Sequence, residues 1–257
     1  MRETVSSEKN PLLKQVRRAV AHGSLTDDGL AVCEGFHLLE EALASRCEIR
    51  AVIAAESAVD RVAKLNGARV IAVPDHVFAG LSTTETPQGV MALVKPREWT
   101  LEQMLTAGAL VLVLDGIQDP GNAGAILRTA EAFGATGAVL LKGTVSPYNP
   151  KALRGSAGSV FRIPMLAGMD PVRLRDALEQ KGIALFAAMP RAADALADAN
   201  LREACAIVIG AEGAGASVEI ARRAEAFRIP TAGVESLNAA VAAGVILYEA
   251  RRQRNAR

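Results

Sequence analysis

The second half of the chain alternates short apolar runs with stretches of helical spacing. Residues 110–114 (LVLVL), 138–141 (AVLL), 183–188 (IALFAA), 206–209 (AIVI) and 227–229 (FRI) have strand length. Between and after them, residues 122–133, 171–180, 218–226 and 237–253 read as helices, the first with Ala125, Ile126, Ala130 and Phe133 on its inner face. Apolar residues three or four apart give a helix one apolar side. Continuous apolar runs belong to strands covered on both faces. The pattern predicts an α/β fold with a mostly parallel sheet and helices on each side. The first hundred residues are more irregular. A basic helix over 10–21, a strand at 31–33 and a helix over 35–44 precede strands at 49–54, 69–73 and 89–94. Pro74, Gly80 and the STTETPQG run supply breaks. This predicts a small α/β domain over residues 1–100, a connection carrying Pro96 and Trp99, and a second domain over residues 108–257.

Composition narrows the picture without deciding it. Of 257 residues, 50% are apolar but only 4% aromatic, so Ala, Val, Leu and Ile must fill the core. A net charge of +1 neither demands nor excludes nucleic acid, since a local basic patch disappears in the sum. The three cysteines are unpatterned and the N-terminus lacks the apolar run of a signal peptide, which points to a reducing, cytoplasmic setting. The longest apolar stretch, residues 237–248, is too short to cross a membrane. His22, His37 and His76 are scattered, so no metal is expected.

The candidate chemistry lies where polar groups follow the apolar runs. After residues 110–114 comes DGIQDPGNAGAILRTAEAFGA, in which Asn122 opens a helix as a candidate cap and Arg128 lies six residues on. Both sit in the half of the helix whose free N–H groups attract anions. After 206–209 comes GAEGAGAS, where Gly210, Gly213 and Gly215 let backbone approach a flat ligand and Glu212 places a carboxylate among them. After 227–230 comes TAGVESLNAAVAAGVILYEARRQ, with Ser236 and Asn238 at the mouth of an apolar helix and Ser236 a candidate cap. Each segment alone also reads as ordinary structure: a capped helix, a solvated turn, a helix start. The glycines at 116, 121 and 124 do not form the dinucleotide fingerprint, which weighs against a nucleotide-dependent oxidoreductase.

Taken together and in order, these segments resemble the three motifs of the SpoU (TrmH) family of RNA ribose 2′-O-methyltransferases in the SPOUT superfamily. The match is N-x-G-x-x-x-R at 122–128, I-G-x-E-G at 209–213, and I-P at 229–230 followed by V-E-S-L-N at 234–238. The resemblance implies a C-terminal domain with a trefoil knot, S-adenosylmethionine as cofactor, a homodimer, and methyl transfer to a ribose in RNA. By position, Ile209, Gly210, Gly213, Ile229 and Leu237 would hold the cofactor. Asn122, Arg128, Glu212, Ser236 and Asn238 would form the catalytic set. In it, Arg128 holds the target phosphate and developing alkoxide, Asn122, Ser236 and Asn238 orient the ribose, and Glu212 positions Arg128 or Asn122. A further R-x-S-x-G run puts Arg154 and Ser156 on the RNA-facing wall.

The first hundred residues resemble the family's substrate-binding module, which is similar to ribosomal-protein RNA binders, and Lys9, Lys14, Arg17 and Arg18 are its candidate phosphate contacts. That layout favours ribosomal RNA of the large subunit (23S) as substrate. A transfer-RNA enzyme and a non-catalytic ribosome-assembly factor on the same fold are the alternatives.

Overall fold

The computed structural model describes residues 2–62, 68–213 and 215–256. In chain order the first elements are β1 (Arg2–Thr4), α1 (Pro11–His22), β2 (Ala31–Glu34), α2 (Phe36–Ala44), β3 (Glu48–Ala55), α3 (Val59–Val62), β4 (Val70–Val73), α4 (Asp75–Ala79) and β5 (Val90–Lys95). There follow α5 (Leu101–Met104), β6 (Leu110–Asp115), α6 (Pro120–Ala132), β7 (Gly137–Leu141), α7 (Pro150–Ser156), β8 (Met165–Met169), α8 (Pro171–Gln180), β9 (Ala184–Ala188) and β10 (Asp194–Ala195). The chain closes with β11 (Cys205–Gly210), α9 (Val218–Ala221), β12 (Glu225–Arg228) and α10 (Ala239–Asn255). By contact these form two units, Met1–Glu98 with Tyr148–Phe161, and Trp99–Pro147 with Arg162–Arg257.

The first unit is a five-stranded sheet in the order β1-β4-β3-β5-β2. Strand β4 runs parallel to β1 and β3, whereas β5 runs antiparallel to β3 and β2. Helix α1 starts cleanly because the Asn10 side chain accepts from the Leu12 N–H at 2.9 Å and Pro11 brings no N–H of its own. Its Leu13, Val16 and Val20 pack with Ile53, Ile71, Phe78 and Met91 in the unit's core. Helix α7, which the sequence reading assigns to the second domain, groups with this unit, where it packs on β2.

The second unit is a seven-stranded sheet, ordered β10-β12-β9-β11-β6-β7-β8, and every neighbouring pair is parallel. Strand β8 is not among the sequence expectations; its LAGM residues are only partly covered and give no continuous apolar signal. In β6, Val111 and Val113 belong to the same core cluster as Leu174 and Leu178 of α8. The alternate residues Leu110, Leu112 and Leu114 are equally buried, so both faces are covered. Helix α10 lies along α6, and Phe133 meets Tyr248 edge-on with ring centroids 6.1 Å apart. The parallel sheet leaves all its strand carboxyl ends on one edge, where a ligand site is best built.

The far end of α10 is fastened by Arg254. Its guanidinium donates to the carbonyls of Leu201 at 2.8 Å, Gly108 at 2.9 Å and Ala109 at 2.9 Å, and also to that of Glu203. Arg254→Ala leaves several carbonyls without a donor and is expected to destabilise the protein by about 2–3 kcal/mol. Arg254→Lys restores only part of this, because an ammonium cannot span the same fork. Urea denaturation of the three proteins checks the order; an alanine variant with an unchanged midpoint would show the fastening to be idle.

Candidate active site at the carboxyl edge of the sheet

Strands β6 and β11 finish side by side, with Asp115 in register with Gly210. From these ends, and from β12, come the three segments singled out in the sequence. Helix α6 begins two residues earlier than its spacing suggests. Pro120 is its first residue, and the Asp119 carboxylate caps it by accepting from the Asn122 N–H at 2.7 Å. Asn122 is therefore not the cap. It lies in the first turn, where its side chain is released for other contacts.

That side chain faces the other two segments. Asn122 Nδ2 donates to Glu212 Oε1 at 2.8 Å. Asn238 Nδ2 donates to Asn122 Oδ1 at 3.1 Å and lies 3.4 Å from Glu212 Oε1. Asn238 is also the cap of α10, its Oδ1 accepting from Ala240 at 2.9 Å and Val241 at 3.3 Å. Ser236, the other candidate, does not cap that helix. An asparagine suits the position because its oxygen closes the helix while its amide nitrogen reaches across. A serine hydroxyl is too short for both tasks and an aspartate has no donor.

Glu212 is held in place by a tight loop. Ala211 and Gly215 exchange two backbone hydrogen bonds, of 3.0 and 2.8 Å, which bring the chain back alongside itself at these two residues. The returning chain passes so close to Gly210 that a Cβ there would overlap the Gly215 carbonyl carbon and the Ala216 nitrogen. Asp115 anchors the loop's exit: its buried carboxylate accepts from the Ser217 N–H at 2.7 Å. Sequence reading passes over Asp115, although an acid that ends a wholly apolar strand was a usable signal.

Beside this loop is a cavity of about 810 Å³. Ile209, Gly210, Gly213, Ile229 and Leu237, the candidate cofactor residues, all line it, together with Glu212 and Ser236. Ser236 is exposed and makes no hydrogen bond among the described residues. Arg128 makes no hydrogen bond to the amide triangle. It is exposed on α6 and has no hydrogen-bond or ion-pair partner among the described residues, so Glu212 engages Asn122 and not Arg128. Cys33 and Cys205 are buried, and burial pushes both thiols up, away from the nucleophilic thiolate. Among the described residues no cluster of His, Cys, Asp and Glu is suited to a metal ion, and no helix is long and apolar enough to cross a membrane.

The model of the SpoU rRNA methylase family matches residues 109–248, which contain the whole carboxyl-edge site. The chain belongs to this family. A second model, the MRM3-like substrate binding domain, matches residues 10–92. Among full-length relatives of this SpoU methylase is an uncharacterized tRNA/rRNA methyltransferase of Synechocystis, 35% identical, with 97% of this chain and 94% of that protein covered. Another is the 23S rRNA (guanosine(2553)-2′-O)-methyltransferase RlmP of Bacillus subtilis, 30% identical over 96% of this chain and 98% of that protein. The SpoU methyltransferase AviRb of Streptomyces viridochromogenes, solved in complex with AdoMet (S-adenosylmethionine), superposes with a TM-score of 0.87. It is 25% identical, over 96% of this chain and 99% of that one.

The candidate RNA contacts in the first unit fall into two groups. Lys9 and Lys14 are exposed, whereas Arg18 pairs with Asp27 and Arg17 donates to the Gly80 carbonyl at 3.3 Å. Arg154 is exposed and donates to Thr83 Oγ1 at 3.4 Å. Ser156 does not face an RNA-binding wall: it is fully buried and its hydroxyl donates to the Leu153 carbonyl at 2.8 Å. The helix satisfies this hydroxyl internally, so it presents nothing to RNA.

Proposed function

We propose that this SpoU methylase uses S-adenosylmethionine to methylate a ribose 2′-hydroxyl in 23S ribosomal RNA. The observation that carries the reading is the amide–carboxylate triangle of Asn122, Glu212 and Asn238 beside a cavity of about 810 Å³. That volume suits a nucleoside-sized ligand. The small lining residues Ala188, Ala226 and Ala242 and the side-chain-free Gly210 keep its walls open to a flat ring.

When bound, the cofactor supplies an electrophilic methyl group on a sulfonium. Ile209, Gly210, Gly213, Ile229 and Leu237 hold it by backbone contacts and apolar surface. Asn122, Asn238 and Ser236 orient the ribose, and Glu212 fixes the two amides so that no reorganisation is needed when charge develops. Arg128 binds the target phosphate and stabilises the alkoxide as the hydroxyl gives up its proton to solvent water. A guanidinium stays charged at ordinary pH, which suits it to this role and not to that of base.

The C-terminal segment is knotted in this reading. The match of the SpoU family model to residues 109–248 supports it. A second copy of the chain covers α10, whose Val241 and Tyr248 are apolar yet 53% and 58% exposed on one side. Exposed Lys9, Lys14 and Arg154 give the first unit its phosphate contacts. In this reading the protein works in the cytoplasm, where its ribosomal RNA substrate is found and where cysteines stay reduced.

Purified protein is expected to bind S-adenosylmethionine in a calorimeter and to transfer a labelled methyl group to protein-free 23S RNA. The modified position resists alkaline cleavage, because the 2′-hydroxyl is the nucleophile in that cleavage. No heat with the cofactor would overturn the enzymatic reading. Transfer to tRNA alone would overturn the choice of substrate.

A further inference from the structure

Two charged side chains of the cavity rim have no part in the site as described. Arg191 follows β9 and Glu235 precedes α10, and both line the cavity. Arg191 Nη2 lies 2.8 Å from Glu235 Oε1, with the two side chains 89% and 73% exposed. An ion pair so open to water contributes little to folding and separates at small cost. The backbone around it does not depend on the pair. Arg228 of β12 donates to the Ala192 carbonyl at 2.9 Å and to that of Ala193, and Thr231 Oγ1 donates to the Val234 carbonyl at 2.7 Å. Both loops are thus fixed by other bonds, and the pair is left presenting one positive and one negative group at the cavity mouth.

The third charged residue of the lining is Glu212, whose Oε1 is already engaged by the two asparagine amides. Arg191 is then the one cation of the lining among the described residues, directly beside a carboxylate. An α-amino acid carries an ammonium and a carboxylate on a single carbon. Its receptor needs a cation and an anion equally close together, and a guanidinium fork matches a carboxylate with two parallel bonds.

We propose that Arg191 and Glu235 form the receptor for the zwitterionic amino-acid head of the cofactor. The Arg191 guanidinium takes the α-carboxylate and the Glu235 carboxylate takes the α-ammonium. In the absence of ligand each residue serves as the other's counter-ion, so binding exchanges one exposed ion pair for two. The inference rests on the reading that the cavity holds S-adenosylmethionine, and it assigns the part of that ligand which the apolar and backbone wall cannot recognise.

S-Adenosylhomocysteine and 5′-methylthioadenosine share the adenosine and the thioether, but only the first has the amino-acid head. Calorimetric titration of wild type and Arg191→Gln with both ligands isolates the head group. Wild type is expected to prefer S-adenosylhomocysteine. In Arg191→Gln that preference falls by about tenfold, while the affinity for 5′-methylthioadenosine stays within about twofold. The receptor is overturned if the preference falls by less than about threefold, or if both ligands weaken together, which would make Arg191 a support for the loop. Wild type that binds neither ligand would overturn the cofactor reading itself, a result distinct from binding with an unchanged preference.

Discussion

Gly210→Ala is expected to abolish detectable binding of S-adenosylmethionine and to destabilise the protein by about 3 kcal/mol. The cause is crowding and not conformation, since Gly210 does not have a positive φ. One methyl group would collide with the Gly215 carbonyl and the Ala216 nitrogen, both of them backbone. Backbone cannot swing aside as a flexible side chain does. The returning strand must move, breaking the paired hydrogen bonds between Ala211 and Gly215 and pulling at the Ser217 N–H held by Asp115. Gly213→Ala is the contrasting control. Gly213 has φ +82° but nothing within 4 Å of an added Cβ, so its penalty is only that of the left-handed backbone, about 1–2 kcal/mol. Calorimetry and urea denaturation of both variants check the ranking. A Gly210→Ala protein with normal affinity would mean that the close passage does not shape the cavity.

The residues that carry the fold were legible because burial leaves a periodic trace. The runs at 110–114 and 206–209 became β6 and β11 at the centre of the sheet, where both faces are covered and every position must be apolar. Strand β8, at the edge, left no such trace. Helix starts were harder because Asp119 and Asn122 are both good caps. Pro120 was the deciding residue, since a proline belongs in the first turn and so places the cap before it. Ser156 misled for the opposite reason: a polar residue in a motif suggests a ligand, yet its hydroxyl bonds to the carbonyl three residues back. The grouping of α7 with the first unit, the Asp115–Ser217 bond across 102 residues, and the Arg191–Glu235 pair belong to a different class. They are products of tertiary folding, and one sequence carries no record of which distant residues meet.

Arg128→Ala is expected to lower turnover by about 10²–10³-fold while leaving S-adenosylmethionine affinity nearly unchanged. The separation follows from position: Arg128 is exposed on α6 and does not line the cavity. A lysine at this place then tells clamp from base. An ammonium has an ordinary pKa of about 10.4, far closer to working pH than a guanidinium, so it is the better proton acceptor of the two. If residue 128 removed the proton, the rate of Arg128→Lys would climb as pH rises from 8 toward 10 and the side chain becomes neutral. As a clamp on phosphate and alkoxide, the side chain must be charged, and the same variant loses activity over that interval. Lysine also offers a point charge where arginine offers a fork, so even at pH 8 it is expected to recover only part of the wild-type rate. The wild-type rate, measured over the same interval, is the reference for that change. Single-turnover methylation measured across the interval with saturating cofactor decides the matter, and a Lys variant that gains rate with pH would return the proton to residue 128.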